Sequence, residues 1–417
     1  MAALYILFAL VAGLALGMAT ESTPLGETLT SIAQPVGGLW LNGLKMTVVP
    51  LVVALLITGI TKTAEAAKAG KLAGRSVAWF LTILWSSSIM AALVLPALLD
   101  WFPLDASAGE ALRSALTTQD KPITSPGIGD FLLSLVPSNV INAAASDAIL
   151  PLTIFTTLFA FAMLRLPIER RAPLSAFFES IADVMLVVIG WVLWLAPAGV
   201  FALAILIGTQ SGFAALGALA HYVVLLSSLG VIVTLAAYGV AVFGGRISIL
   251  DYQRAVLPAQ AVAISTQSSL ASLPAMLRGV ATLGVKPETA DMVLPLAVAL
   301  FRASGPALNL GVAIYIAHWF GIQLTPLQLG AGVAVAAITT IGAVSLPGTI
   351  SFISSIAPIA LAMGLPIEPL AILVAVETIP DIFRTFGNVS MDVAVTKAIS
   401  RQHDGQEQVT ANLGETA

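Results

Sequence analysis

Between Val184 and Gly245 the chain contains no Asp, Glu, Lys or Arg. No water-facing element can be built from a stretch of that length without a charge. It also exceeds one membrane-crossing helix, which needs about 20 apolar residues. It therefore reads as two helices, divided at GTQSG (208–212). A second charge-free run extends from Ala303 to Ile367 and is broken near Gln323–Gln328. Composition carries the same message: 58% of residues are hydrophobic, 10% are charged, and the mean hydropathy is +0.98. Soluble domains carry roughly 25% charged residues. The chain reads as an all-α integral membrane protein.

Several function classes fall away on composition. A net charge of −4 gives a nucleic acid nothing to bind. With no cysteine, disulfides, thiolate chemistry and Cys-based metal sites are excluded. The histidines, His221, His318 and His403, are too scattered to suggest zinc. No G-x-x-x-x-G-K-[ST] phosphate loop supports drive by ATP, and no cofactor is expected.

Apolar spans succeed one another along the chain. The first covers about 2–20; it lacks the basic start of a signal peptide and is expected to be kept. The second covers about 37–60, and the third lies between Arg75 and Asp100. A polar stretch, about 101–129, reads as a loop. The fourth centres on 149–164 and follows an Asn-containing apolar run, which suggests a broken helix. The fifth starts after Arg170 and Arg171 and runs to about 207. Lys62, Lys68, Lys71, Arg75, Arg165, Arg170, Arg171, Arg246, Arg254, Lys397 and Arg401 cluster on one side of these spans. The positive-inside rule then places both termini in the cytoplasm and the 101–129 loop outside. Residues 401–417 are polar and read as a disordered cytoplasmic tail.

Two stretches, 255–277 and 330–362, would spoil this charge asymmetry if they crossed fully. A pair of re-entrant hairpins, one from each side, restores it. Their tips are Ser265–Pro274 and Thr339–Gly348, rich in small residues and proline. Irregular backbone at membrane depth is tolerated where protein or a watery cavity satisfies its amides, and half-helix ends suit a carboxylate. Two such elements in matching places point to an inverted repeat around a midplane site.

The chemistry concentrates in an otherwise apolar segment from about Leu370 to Arg401. Glu377, Asp381, Arg384, Asn388 and Asp392 are spaced 4, 3, 4 and 4 apart, which puts them on one face of a helix. Ionisable groups at that depth face a protein interior or a cavity. They could form an internal ion-pair ladder, or carry the binding groups for a charged solute and its coupling ion. Arginine grips a carboxylate bidentately, and Asp381 lies one turn away, a spacing suited to the two ends of an amino acid.

These motifs resemble the dicarboxylate/amino acid:cation symporters. STQSSLASLP (265–274) resembles the family's serine-rich first hairpin, and SLPG (345–348) the tip of its second. DIFRTFGNVSMD (381–392) matches D-x-x-R-T-x-x-N-V-x-x-D on its last helix. GLKMTVVPLV (43–52) and WVLWLAPAGVFAL (191–203) resemble its second and fifth helices. The resemblance implies an elevator-type fold of eight transmembrane helices plus two re-entrant hairpins, a homotrimer in the plasma (inner) membrane, in contact with lipid. Residues 1–400 would form a single transporter domain. Spans 1, 2, 4 and 5 would be its scaffold. Spans 3 and 6, the hairpin over 250–280, span 7, the hairpin over 326–362 and span 8 would be its mobile transport part. By motif, Asp381 would hold a substrate ammonium and Arg384 its side-chain carboxylate, with Thr385 and Asn388 completing the polar shell. Ser268, Ser269 and the second hairpin's backbone would hold the α-carboxylate, and Asp392 with Asn309 a sodium ion.

The chain departs from the family at Asn309-Leu310-Gly311-Val312-Ala313, where the family pattern is N-M-D-G-T and its Asp helps bind a second cation. Arg302, two turns before Asn309 and expected on the same helix face, adds a fixed positive charge. It could compensate the missing ion with Glu377 as partner or protonatable group, or simply pair with Glu377. The expected function is uptake of aspartate or glutamate coupled to sodium, protons or both. A C4-dicarboxylate symporter is the alternative. An intramembrane enzyme using Glu377 and Asp381 is more remote, because no second span offers a matching carboxylate. A passive channel is disfavoured, since opposed charges would retain the solute.

Overall fold

The computed structural model describes residues 2–21, 23–103, 129, 133, 135–211, 213–342 and 348–414, and every regular element among them is helical. Helix α1 (Ala2–Ala19) is followed by α2 (Pro24–Lys68) and α3 (Lys71–Trp101). Thr23 starts α2 by accepting a hydrogen bond from Gly26 N at 3.1 Å, with Pro24 in the first turn. The 45 residues of α2 span about 68 Å at 1.5 Å per residue, more than the membrane core requires. Most of the expected 101–129 loop lies outside the described residues. Helices α4 (Val140–Ala145) and α5 (Ile149–Met163) form the broken fourth span, with Asp147 left-handed at φ 55° between them.

The fifth span differs from expectation. It is two helices, α6 (Ile168–Trp194) and α7 (Ala196–Ser211), divided at Leu195. Pro197 explains the division: it has no N–H for the carbonyl of Leu193 and its ring crowds the preceding turn. Helix α8 (Phe213–Gly239) ends in a π turn, Val240–Gly244.

The first hairpin is α9 (Ile249–Thr266) and α10 (Ser269–Thr282), packed on each other. Its turn is tighter than expected: Gln267 is left-handed at φ 52°, Ser268 caps α10, and Pro274 lies inside that helix. At about 27 and 21 Å, neither arm reaches across a 30 Å core. Helices α13 (Pro326–Gly342) and α14 (Gly348–Ala362) also pack on each other. Much of the second tip expected at 339–348 lies outside the described residues.

Each helix pair is followed by a broken helix. After α10 come α11 (Pro287–Leu300), a gap at 301–304, and α12 (Gly305–Trp319). Pro306 cannot donate to the carbonyl of Arg302, which takes Gly305 N instead at 2.8 Å. Arg302 therefore lies in the gap, not on a helix face with Asn309. After α14 come α15 (Leu370–Leu373), a turn over 374–377, and α16 (Thr378–Gly414). The tail expected to be disordered instead continues α16 to Gly414. Residues 402–413 contain several good helix formers and no proline, and a glycine closes the run.

Helix α16 packs against α8, α9, α10, α11, α12 and α3, while α1 and α2 pack mainly with α5, α6 and α7. Five helical stretches are long and apolar enough to cross a membrane by length and composition: Pro24–Lys68, Lys71–Trp101, Ile168–Trp194, Leu216–Gly244 and Pro287–Trp319. Shorter apolar helices accompany them. Helix α6 exposes Phe177, Val184, Val187, Trp191 and Trp194, an apolar face suited to lipid rather than water. The chain is a multi-pass membrane protein.

Close packing joins α2 to α6 and α7. The buried indole of Trp40 donates to the carbonyl of Val192 at 2.9 Å and lies over Gly199, where an added Cβ would meet ring carbon at 2.2 Å. Gly199→Ala should cost about 1–3 kcal/mol by overpacking, read as a lowered unfolding temperature of the detergent-purified protein. An unchanged temperature would show that the indole can move aside.

Candidate functional site

The polar stripe is assembled at the start of α16. Glu377 lies in the preceding turn rather than in the helix itself, but its carbonyl accepts Asp381 N at 2.9 Å, so it directly precedes the first turn. Asp381, Thr385 and Asn388 are each 5–6% exposed, Glu377 is 1% exposed, and Asp392 is fully enclosed. Carboxylates at a helix N-terminus are favoured by the dipole. That alone does not satisfy them at this depth.

Arg384 does most of it. Its Nη1 donates to Asp381 Oδ1 at 2.7 Å, and its Nη2 stands 2.6 Å from Glu377 Oε1. The hydroxyl of Tyr222, on α8, donates to Glu377 Oε2 at 3.0 Å. Glu377 is thus paired with Arg384 and not with Arg302. Arg384 Nε has no hydrogen-bond partner among the described residues.

The gap before α12 meets the middle of α16. Ser304 N donates to Asn388 Oδ1 at 2.8 Å, and a Cβ on Gly387 would lie 2.4 Å from Ser304 Oγ. Ser87 Oγ, on α3, donates to the carbonyl of Ala303 at 2.6 Å, and Phe80 stacks on Phe301 with centroids 4.6 Å apart. Arg302, held in this gap, has Arg384, Asp381 and Asp392 as its electrostatic neighbours. Both oxygens of Asp392 are buried without a hydrogen-bond partner. Asn309 is buried on α12. Gly311, two residues on, faces hydrocarbon: a Cβ there would be 2.6 Å from Leu229, 3.0 Å from Leu226 and 3.5 Å from Leu95.

The first hairpin is fastened to α16 through α9. Tyr252 donates to the carbonyl of Ser390 at 2.5 Å and Gln260 to its hydroxyl at 2.9 Å. Ser268 and Ser269 are half-buried. Ser268 Oγ caps α10 by accepting Ala271 N at 3.2 Å, and neither serine bonds to the charged groups of α16. So the fold gathers Glu377, Asp381 and Arg384 into one network, binds Asn388 to the gap before α12, and sets Arg302 as an electrostatic neighbour of Asp381 and Asp392, while Ser268 and Ser269 remain outside it.

Sequence reading passed over Tyr222, Ser304 and Gly387. The last two had a signal: Phe-Arg-x-x-Gly occurs at 301–305 and again at 383–387. The two copies meet where Ser304 faces Gly387. Tyr222 had none, being one aromatic in an apolar run.

A model of the sodium:dicarboxylate symporter family matches residues 3–402. The chain belongs to that family. A proton/glutamate-aspartate symporter of Escherichia coli (strain K12) is 29% identical over 92% of this chain and 89% of its own. A proton/sodium-glutamate symport protein of Bacillus subtilis (strain 168) is 29% identical over 94% and 90%. A C4-dicarboxylate transport protein of Anaeromyxobacter sp. (strain K) is 26% identical over 98% and 91%. The protein is a symporter and not an enzyme, so Glu377 and Asp381 are not a hydrolytic pair.

The Tyr222 contact is testable without a substrate. Tyr222→Phe keeps the ring but leaves Glu377 Oε2 without its donor, a loss of about 1–3 kcal/mol for a buried acceptor. Thermal unfolding in detergent should show it. Wild-type stability would mean that another donor, or a proton, takes over.

Proposed function

We propose that the protein takes up aspartate or glutamate, coupled to sodium, protons or both. The observation that carries this reading is the buried Arg384 held between Asp381 and Glu377. A solute with one ammonium and a side-chain carboxylate can divide this pairing. Its carboxylate replaces Asp381 on the guanidinium, and its ammonium takes the carboxylate so released. Thr385 and Asn388 lie on the same helix to complete the shell. Ser268 and Ser269, with the second hairpin's backbone, are proposed for the α-carboxylate, which requires the hairpin tip to move toward α16.

Asp392 is the proposed sodium ligand, with Asn309. An enclosed carboxylate with two unpartnered oxygens is the hard, anionic donor that sodium requires. At Gly311 the leucines fill the space a second carboxylate would need, which supports the loss of that cation site. Glu377, Asp381 and Asp392 face two guanidinium groups, Arg302 and Arg384, leaving one formal negative charge in excess. Aspartate adds another, so about two positive charges must accompany it through a low-dielectric interior. Arg302 supplies as a fixed charge what a further ion would supply transiently.

The remaining architecture is proposed from the family: eight membrane helices and two re-entrant hairpins, an elevator-type homotrimer in the plasma (inner) membrane with cytoplasmic termini. The scaffold would be α1, α2, α4, α5, α6 and α7, and α3, α8–α14 and α16 would move. Packing is densest within each group, of α1 on α7 and of α16 on α8, which supports the division.

Purified protein in liposomes, given inward sodium or proton gradients and labelled aspartate, glutamate or succinate, tests the reading. Aspartate or glutamate should be preferred. Asp381→Asn should weaken them by about 3–5 kcal/mol, as when one partner of a buried pair is removed, and succinate less. If the unmutated protein prefers succinate, it is a C4-dicarboxylate symporter instead.

Coupling is read from uptake against sodium concentration at two pH values. The expected Hill slope is about one, with stimulation by an inward proton gradient; a slope of about three without a pH effect would overturn the charge-replacement reading.

A further inference from the structure

Two lone charges meet within the apolar spans, away from the polar stripe. Lys45 is the one charged residue of α2 between Glu27 and Lys62, and it lies about 26 Å along the helix from Lys62. Glu368 ends the charge-free run that starts at Ala303. Lys45 Nζ donates to Glu368 Oε1. Ionisable groups inside membrane spans are costly, and where they occur in pairs they mark moving or binding parts.

Local sequence sets Glu368 in place. Gly364, at φ 73°, closes α14, and Leu365 N bonds to the carbonyl of Ala360 at 2.8 Å. Pro366 and Pro369 stiffen the turn on either side of Glu368. Gln328 Nε2, on α13, donates to the carbonyl of Met363 at 2.9 Å, which ties the turn to both helices of the second pair. The carboxylate depends on Lys45. Its side chain is 14% exposed, and its Oε2 is buried without a hydrogen-bond partner. With Lys45 withdrawn, an enclosed charge would be left alone, which is costly.

This pair crosses a boundary. Lys62–Glu179 and Arg171–Glu65 fasten α2 to α6, inside the proposed scaffold. Arg384 pairs with Glu377 and Asp381 inside the proposed moving part. Lys45 stands on the scaffold, whereas Glu368 follows α14, which packs with α13 on α2. Displacing this turn along α2 by one helical turn, about 5.4 Å, would break the ion pair. We propose that Lys45 and Glu368 form a latch, which holds the moving part against the scaffold in this conformation and opens whenever that part slides along α2.

The latch rests on the two-part division proposed above, and its test separates the two. The chain has no cysteine, so Ala172→Cys on α6 and Ala281→Cys on α10, both exposed, take a pair of spin labels cleanly. The distance between labels is measured in liposomes, without solute and with saturating aspartate and sodium. Lys45→Met and Glu368→Gln should each raise the ratio of displaced to latched molecules about fivefold. The charge swap, Lys45→Glu with Glu368→Lys, should return the ratio to that of the labelled parent. A ratio that stays raised in the swap would assign the effect to packing and overturn the latch. Two distances in an unchanged ratio in both single variants would overturn the latch and leave the two-part division standing. One distance in every sample, with and without solute, would overturn the division and the latch with it.

Discussion

A guanidinium enclosed in a membrane protein must be neutralised by the protein itself, and much of this structure serves that need. Arg384 is flanked by Asp381 and Glu377, and Glu377 is held in place by Tyr222 from another helix. An isolated charge there would cost several kcal/mol or more. That explains why α16 is wrapped by α3 and α8–α12 rather than by lipid. It also makes the site responsive. On the proposed reading, a pairing made only of internal charges is exchanged for a solute that brings the same charges, at little net electrostatic cost.

The helix breaks deliver backbone groups to this depth. Pro306 forces the gap that holds Arg302 and frees Ser304 N to bond Asn388. The turn over 374–377 brings Glu377 beside Arg384. Unpaired amides in a membrane interior are tolerated only where protein or water satisfies them, and here side chains of α3 and α16 do so. The repeated Phe-Arg-x-x-Gly segments cross with Gly387 against Ser304, a contact too close for any side chain larger than hydrogen. The two halves of the site are therefore fixed to each other.

In the function proposed above, charge links solute to ions. Asp392 lies enclosed and unpartnered, the leucines around Gly311 leave no room for a companion carboxylate, and Arg302 adds a permanent positive charge nearby. Each shifts the same quantity, the excess charge that mobile cations would balance in the proposed cycle.

That the chain spans a membrane follows from its residues alone, because charge-free apolar runs such as 184–245 have no stable place in water. So does the identity of the helix that carries the charges, because spacings of three and four repeat every turn. Local rules placed the broken fourth span, whereas the breaks at Leu195 and around Arg302 follow from Pro197 and Pro306, single residues that span lengths do not reveal. The partners of those charges emerge from the packing of distant helices. Nothing in the spacing of Glu377 and Arg302 shows that Arg384 takes the carboxylate, or that Tyr222, 155 residues away in the chain, completes it. Helix periodicity fixes which residues share a face. Which faces meet is set by the packing of all the helices together, and no local pattern encodes it.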